Sequence, residues 1–508
     1  MYPGAHAAHF PEKPAVIVAG TTEVVTYREL EEQSARLARY LDAAGLRRGD
    51  HIALLTDNDP RTFEVYWAAM RTGLYFTAVN SHLSAAEIAY IVNDCGAKAL
   101  VVSAHLADAA AKIVPDTPAV TIRLSYRGPV EGYDSYEDAL AGSSPEPLAS
   151  QPAGMDMLYS SGTTGRPKGI KPPLRDHQVD QPTDVTQVFG PMYGFDTETV
   201  YLSPAPLYHA APLRFCATVQ ALGGTVVMMK KFDAREALAT IERHRVTHSQ
   251  WVPTMFVRML KLDDAVRSKY DVSSLRVAIH AAAPCPVEVK QAMIEWWGPV
   301  LYEYYAATES IGVTMIDSEQ WLRRPGSVGK AALGVIHICG EDGRDLAVGE
   351  VGTIYFERDE MPFAYHNDPG KTAEATHPQH PAWSTTGDVG YIDDEGFLFL
   401  TDRKAFMIIS GGVNIYPQEI EDALALHPKV FDSAVIGIPD AEMGESVQAV
   451  VQPAPGITAS PELAEELRTF LRDRIAHYKV PRGVDFVDEL PRTPTGKLVK
   501  RKLQDRYR

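Results

Sequence analysis

The chain has 508 residues, 45% of them hydrophobic and 23% charged, and carries a formal net charge of −17. Such a length predicts about two to four domains, and the acidic balance argues against general nucleic-acid binding, because it repels a phosphate backbone. A small anion is not excluded, since a local cluster of Lys, Arg and backbone N–H groups can hold phosphate inside an acidic protein. Cys95, Cys216, Cys285 and Cys339 are scattered and form no C-x-x-C pair. Neither a disulfide framework nor a zinc site is indicated, and a reducing cytoplasm is expected. The N-terminus lacks a basic start followed by an apolar core, and no apolar run reaches about 18 residues, so neither a signal peptide nor a transmembrane helix is expected. His6 and His9 read as solvated chain.

The first third alternates helix and strand. Thr26 and Glu29 make a capping-box pattern ahead of a helix with apolar Leu30, Leu37, Leu41 and Leu46. HIALL follows as a short apolar strand, then helices near 61–73 and 85–94, then the strand ALVVS at 99–103. This rhythm predicts a parallel sheet covered on both faces. Residues 171–198, rich in Pro, Asp and Gln, read as a long irregular loop. A second α/β stretch spans about 200–335. Short strands with Gly and Asp turns follow it and predict antiparallel β, a small barrel or sheet. Beyond Arg403 lies a small unit with a helix at 417–427, strands at 431–438 and 446–453, and a helix at 461–476. The domain boundary is placed at 401–406.

The densest chemical signal is Tyr159–Gly169, YSSGTTGRPKG, with two Ser, two Thr, three Gly and one Lys in eleven positions. Glycines let backbone N–H groups converge on an anion, hydroxyls add donors, and Lys168 adds a point charge. The pattern does not fit G-x-x-x-x-G-K-[ST], which disfavours an ordinary P-loop NTPase. Further along stand PLYH (206–209), AAAPCP (281–286), YYAATE (304–309), TGD (386–388), DRKAFMIISGGVNIYPQEIE (402–421), YKVPR (478–482) and PRTPTGK (491–497).

With these segments in this order, the chain resembles the adenylate-forming superfamily of acyl- and aryl-CoA ligases, luciferases and peptide-synthetase adenylation domains, over nearly its whole length. The resemblance implies an α/β protein. Its large N-terminal domain, 1–402, would hold doubly covered, mostly parallel sheets and a small β-barrel-like subdomain. A small mobile C-terminal α+β domain, 403–508, would turn on a hinge near 403–406.

The same resemblance implies that Ser160, Ser161, Gly162, Thr163, Thr164 and Lys168 wrap the β- and γ-phosphates of ATP. It gives Ala282, Ala283, Tyr304 and Tyr305 to the adenine, with Tyr305 stacked on it. Thr308 touches the α-phosphate and Glu309 helps hold Mg²⁺, a role that suits a carboxylate facing a hard cation. Asp388 and Arg403 bind ribose, and His209 borders the substrate carboxylate. Lys497 is the adenylation lysine, bridging carboxylate and α-phosphate. Gly411 and Gly412 admit the pantetheine arm of coenzyme A, and Lys479 and Arg482 meet its phosphates. Tyr208, Trp251, Val252, Pro253, His280, Ala281, Ala306 and Ala307 are implied pocket residues and suggest an apolar acyl group.

Three departures from the family pattern stand out. Ala306 replaces a usual Gly, and its methyl is expected to shift the acyl pocket or restrict the backbone. Ala405 stands at the hinge where Asp or Lys is usual, and Val480 is apolar where some relatives are basic. The implied activity is that of an acid–CoA ligase using ATP, Mg²⁺ and CoA, or of a relative performing only adenylation or only thioester formation. Partners are then small molecules, with no nucleic acid and no membrane span, and the protein is a monomer or homodimer.

Overall fold

The computed structural model describes residues 1–160, 167–182, 184–403, 406–410, 413–440, 443–492 and 498–507. The chain divides into two compact units. One comprises Met1–Trp251, Leu262–Ala278 and Pro362–Pro369; the other comprises Val252–Lys261, Ile279–Met361 and Gly370–Arg508.

The first unit holds a six-stranded sheet in the order Asp134–Ser135, Ile122–Tyr126, Ala97–Ser103, His51–Leu55, Tyr75–Val79, Met155–Asp156. Every pair is parallel, with His51 opposite Tyr75 and Leu55 opposite both Val79 and Val102. All five residues of His51–Leu55 are buried, as a strand covered on both faces requires. The expected helices are present. Tyr27–Ala43 starts at a complete Thr26–Glu29 capping box, and Ala85–Asp94 starts at a second box made by Ser84 and Glu87. A second sheet runs Val24–Thr26, Pro14–Val18, Thr225–Met228, Val200–Ser203, His248–Trp251. It is parallel apart from the first pair.

Two expectations are corrected in this unit. The stretch 171–198 is not wholly irregular, because Asp184–Tyr193 is a helix. Its polar, proline-containing composition hides an i,i+4 aromatic pair, Phe189 and Tyr193. Their rings lie 5.1 and 5.8 Å from the ring of Phe215, and that burial offsets Pro191 inside the helix. The N-terminus is not simply solvated either. Pro3–Ala7 is helical, His6 Nε2 lies 2.9 Å from the carbonyl oxygen of Ala221, and its ring meets Tyr27 edge-on at 5.7 Å.

The second unit carries an antiparallel run of Leu301–Ala306, Val313–Asp317, Ser327–Leu333, Leu398–Arg403, Asp388–Ile392, Gly352–Glu357 and Val335–Cys339. Its last part is a five-stranded sheet. There Val430–Asp440 pairs antiparallel with Gly444–Pro453, and Gly483–Phe486 joins the latter in parallel. Helices Pro417–Ala425 and Pro461–Arg472 bury Ile420, Leu424, Leu467 and Leu471 against Val435 and Val451 of that sheet. Among the described residues, no helix is long and apolar enough to cross a membrane.

Candidate functional site

In the first unit the phosphate-loop segment is a hairpin, Leu158–Ser160 against Lys168–Lys171, with Lys168 opposite Ser160 and Gly169 opposite Tyr159. Ser161, Gly162, Thr163 and Thr164 lie outside the described residues. The base of the hairpin is fixed by packing. Tyr159 Oη donates to Asp94 Oδ2 at 2.6 Å, and the Lys168 ammonium lies 5.1 Å from the centroid of Tyr365. A Cβ on Gly169 would come within 2.6 Å of Met157 Cε and 3.0 Å of the Tyr159 ring. That glycine therefore serves the fit of the hairpin base.

Pro206–His209 connects the strand Val200–Ser203 to the helix Ala210–Ala221. Asn58, which the motif reading missed, seats this connection. Its buried amide donates to the carbonyls of Ala205 at 3.1 Å and Met229 at 2.9 Å, and accepts from Leu207 N at 2.9 Å. A polar residue just past a largely apolar strand was the available signal. His209 is the N-cap of the helix, and its ring lies 4.4 Å from that of Tyr208. The Tyr208 hydroxyl is buried with no hydrogen-bond partner among the described residues, and burial pushes its pKa up. Trp251 is buried and donates through Nε1 to Ser249 Oγ at 2.7 Å.

In the second unit, Val252 caps the helix Pro253–Leu260, with Pro253 in its first turn. His280 is fully buried, edge-on to Phe256 at 5.4 Å. After it, Ala282 takes φ +75°, the left-handed region that favours glycine. Ala283 and Pro284 then lead through Cys285 and Pro286 into the helix Val287–Trp297.

Tyr304, Tyr305 and Ala306 end the strand Leu301–Ala306, with Ala306 paired opposite Val313. Ala306 is not among the residues with positive φ, so its backbone does not need the usual glycine. A turn carries Ala307, Thr308 and Glu309, closed by Ser310 N donating to Ala307 O at 3.0 Å. Glu309 is buried.

Two parts of this unit far apart in sequence meet at Asp388. Tyr305 Oη and Thr386 Oγ1 each donate to its Oδ2 at 2.7 Å. Across the ladder, Asp388 stands in register with Arg403. Behind Tyr305, Phe356 packs at 6.1 Å between centroids. Phe356 also explains Gly312, where a Cβ would fall 1.9 Å from its ring.

Two further expected residues lie in the second unit. Lys479 pairs with Glu419, and Arg482 donates to Asp440 at 2.8 Å, so both cations are held by carboxylates of their own unit. Ala405, Gly411, Gly412 and Lys497 lie outside the described residues.

Residues 4–365 match the family model described as AMP-binding enzyme, and 419–497 match the one described as AMP-binding enzyme C-terminal domain. The chain belongs to the AMP-binding enzyme family. Within it the chain is of the adenylate-forming, acyl-CoA synthetase type. It is 34% identical over 513 residues to the feruloyl-CoA synthase of an Amycolatopsis species, covering 100% of this chain and 98% of the relative. It is 31% identical over 508 residues to the long-chain-fatty-acid–CoA ligase FadD13 of Mycobacterium tuberculosis, covering 98% and 96%. Among solved structures it is similar to the amide bond synthetase McbA of Marinactinospora thermotolerans, with a TM-score of 0.82 and 28% identity over the whole of both chains. AMP-forming CoA ligases of this family use ATP, Mg²⁺ and CoA, and the similar solved structures include an ATP-bound one.

Proposed function

We propose that the protein activates an apolar carboxylic acid as an acyl-adenylate and transfers the acyl group to the thiol of coenzyme A. The observation that carries this reading is the meeting of Tyr305 and Asp388, which sets an aromatic face beside a carboxylate able to accept from ribose hydroxyls. A nucleoside needs both a π-face and an acceptor for its sugar.

In the adenylation step the substrate carboxylate attacks the α-phosphorus of ATP and pyrophosphate leaves. Lys168 and the hydroxyls of the Tyr159–Gly169 segment hold the β- and γ-phosphates. Thr308 contacts the α-phosphate, and Lys497 bridges it to the incoming carboxylate, stabilising charge as it develops. His209 borders that carboxylate from the N-cap of a twelve-residue helix, where the helix dipole favours an anion. The Glu309 carboxylate fits a hard cation. Glu309 would hold Mg²⁺, which would supply charge neutralisation.

In the second step the CoA thiol attacks the acyl-adenylate carbonyl and expels AMP. Gly411 and Gly412 admit the pantetheine arm, and the domains 1–402 and 403–508 alternate about a hinge near 403–406. The largely apolar set Tyr208, Trp251, Val252, Pro253, Ala281, Ala306 and Ala307 supports an aryl or aliphatic acid over an amino acid. We take the enzyme to act in the cytoplasm as a monomer or homodimer.

The test separates the two halves. Lys497→Ala should abolish pyrophosphate release from ATP while leaving thioester formation from a supplied acyl-adenylate. Loss of both halves, or of neither, would refute the assignment.

A second reading keeps adenylation but passes the acyl group to an acceptor other than CoA. The likeness to an amide bond synthetase supports it. CoA-dependent release of AMP would remove it.

A further inference from the structure

Three buried side chains play no part in the chemistry above, and they lie together. His280 ends the strand Val277–His280, Lys290 sits in the helix Val287–Trp297, and Glu303 sits in the strand Leu301–Ala306. Lys290 and His280 are fully buried and Glu303 is 5% exposed. The Lys290 ammonium donates to Glu303 Oε2 at 2.6 Å and lies 4.9 Å from the ring centroid of Trp321. His280 Nε2 is 3.7 Å from the same carboxylate oxygen, and neither ring nitrogen has a hydrogen-bond partner among the described residues. Burial pushes His280 well below the usual imidazole range, with Lys290 adding to the effect, so the ring is neutral. Burial raises Glu303 against the pull of Lys290.

A buried ion pair adds little net stability over a well-packed apolar pair, because desolvation offsets its attraction. What it does supply is direction. Each of the three residues abuts a segment assigned above to the nucleotide or the acyl group. Ala281–Ala283 follow His280 immediately. Lys290 stands in the first turn of the helix that Ala281–Pro286 lead into. Tyr304 follows Glu303, and Tyr305 lies two residues on, on the same face of the strand. Ala282 among them is held in a strained backbone region.

We propose that Lys290, Glu303 and His280 are positioning residues for ATP: a buried brace that fixes the spacing between the turn Ala281–Pro286 and the strand end bearing Tyr305. This rests on the adenylation reading. His280, expected above among the acyl-pocket residues, is fully buried beside the Glu303 carboxylate, and the brace acts through the two segments it joins.

The experiment compares full-length wild type with Glu303→Gln, Lys290→Met and the double variant Lys290→Met with Glu303→Leu, whose apolar pair can fill the site without charge. Melting temperature, KM for ATP, KM for the acid and kcat are measured for each. The expected result is a rise of roughly tenfold or more in KM for ATP in all three variants, since small displacements of positioning groups cost that much. KM for the acid should change less than about twofold by the same reasoning. The double variant should regain the wild-type melting temperature yet keep the raised KM for ATP. Wild-type KM for ATP in the double variant would overturn the proposal and leave the cluster as core packing, and so would parallel rises in KM for ATP and acid. Failure of the adenylation reading has a different signature. Wild type itself would then gain no thermal protection from ATP and release no pyrophosphate.

Discussion

Tyr305 donates its phenolic hydrogen to Asp388 Oδ2 at 2.7 Å, across 83 residues of sequence. Thr386 donates to the same oxygen, so the carboxylate is oriented before it meets any ribose. A hydrogen bond to a charged group contributes about 1.5–3 kcal/mol, or a factor of roughly 10–100. Asp388→Asn should therefore raise KM for ATP by about that factor. Tyr305→Phe, which keeps the ring, should raise it by about tenfold at most on the same scale. Pyrophosphate release against ATP concentration checks both. An unchanged KM in Asp388→Asn would remove this residue from the nucleotide site.

Asn58 satisfies three buried backbone groups around the Pro206–His209 connection. Asn58→Ala leaves two carbonyls and one N–H without it, and each such loss costs about 1–3 kcal/mol. Asn58→Asp should destabilise further at neutral pH, because it turns a carboxylate toward the Ala205 and Met229 carbonyls. Denaturant unfolding reads the stability. KM for the acid should rise in Asn58→Ala before KM for ATP does, since the connection carries Tyr208 and His209.

Ala282 lies at φ +75°. A side chain there costs about 1–2 kcal/mol, of which roughly half is returned when glycine's extra freedom in the unfolded chain is counted. Ala282→Gly should stabilise the protein by about 0.5–1 kcal/mol, read as a higher melting temperature with wild-type helix content. A lower melting temperature would show that the methyl makes a packing contact worth more than the strain.

Glu64 is buried against Tyr136, whose hydroxyl lies 3.0 Å from Oε2. Burial pushes its pKa up to about 7 from 4.5, against the pull of Arg61 and of the Tyr136 hydrogen bond. The folded chain therefore keeps this proton after the unfolded chain has lost it. Stability falls as pH rises from about 4.5 to about 7, and the full penalty, about 3 kcal/mol, applies above that. Glu64→Gln should be more stable than wild type at pH 8 and should lose that advantage toward pH 4.5. An advantage independent of pH would mean that Glu64 ionises normally.

Much of the framework was legible in the sequence where local rules and tertiary context agree. Thr26–Glu29 marked a helix start, and the largely apolar HIALL marked a strand covered on both faces. The helix Asp184–Tyr193 was hidden, because its support comes from Phe215 rather than from its own composition. Motif order marked Tyr305 and Asp388, but nothing local announces their contact. Lys290 and Glu303 were illegible for the same reason: each is an unremarkable polar residue until the fold supplies its partner. Lys479 and Arg482 show the converse, since a motif names a residue type and leaves its present partner open.

The most direct measurement incubates the purified protein with MgATP and a panel of aryl and aliphatic acids, with and without CoA, and follows AMP and acyl-CoA together by mass spectrometry. The expected result is equal amounts of AMP and acyl-CoA from at least one acid, with steady AMP release only when CoA is present. AMP or acyl-adenylate formed from an accepted acid with no thioester in the presence of CoA would contradict the assignment as an acid–CoA ligase.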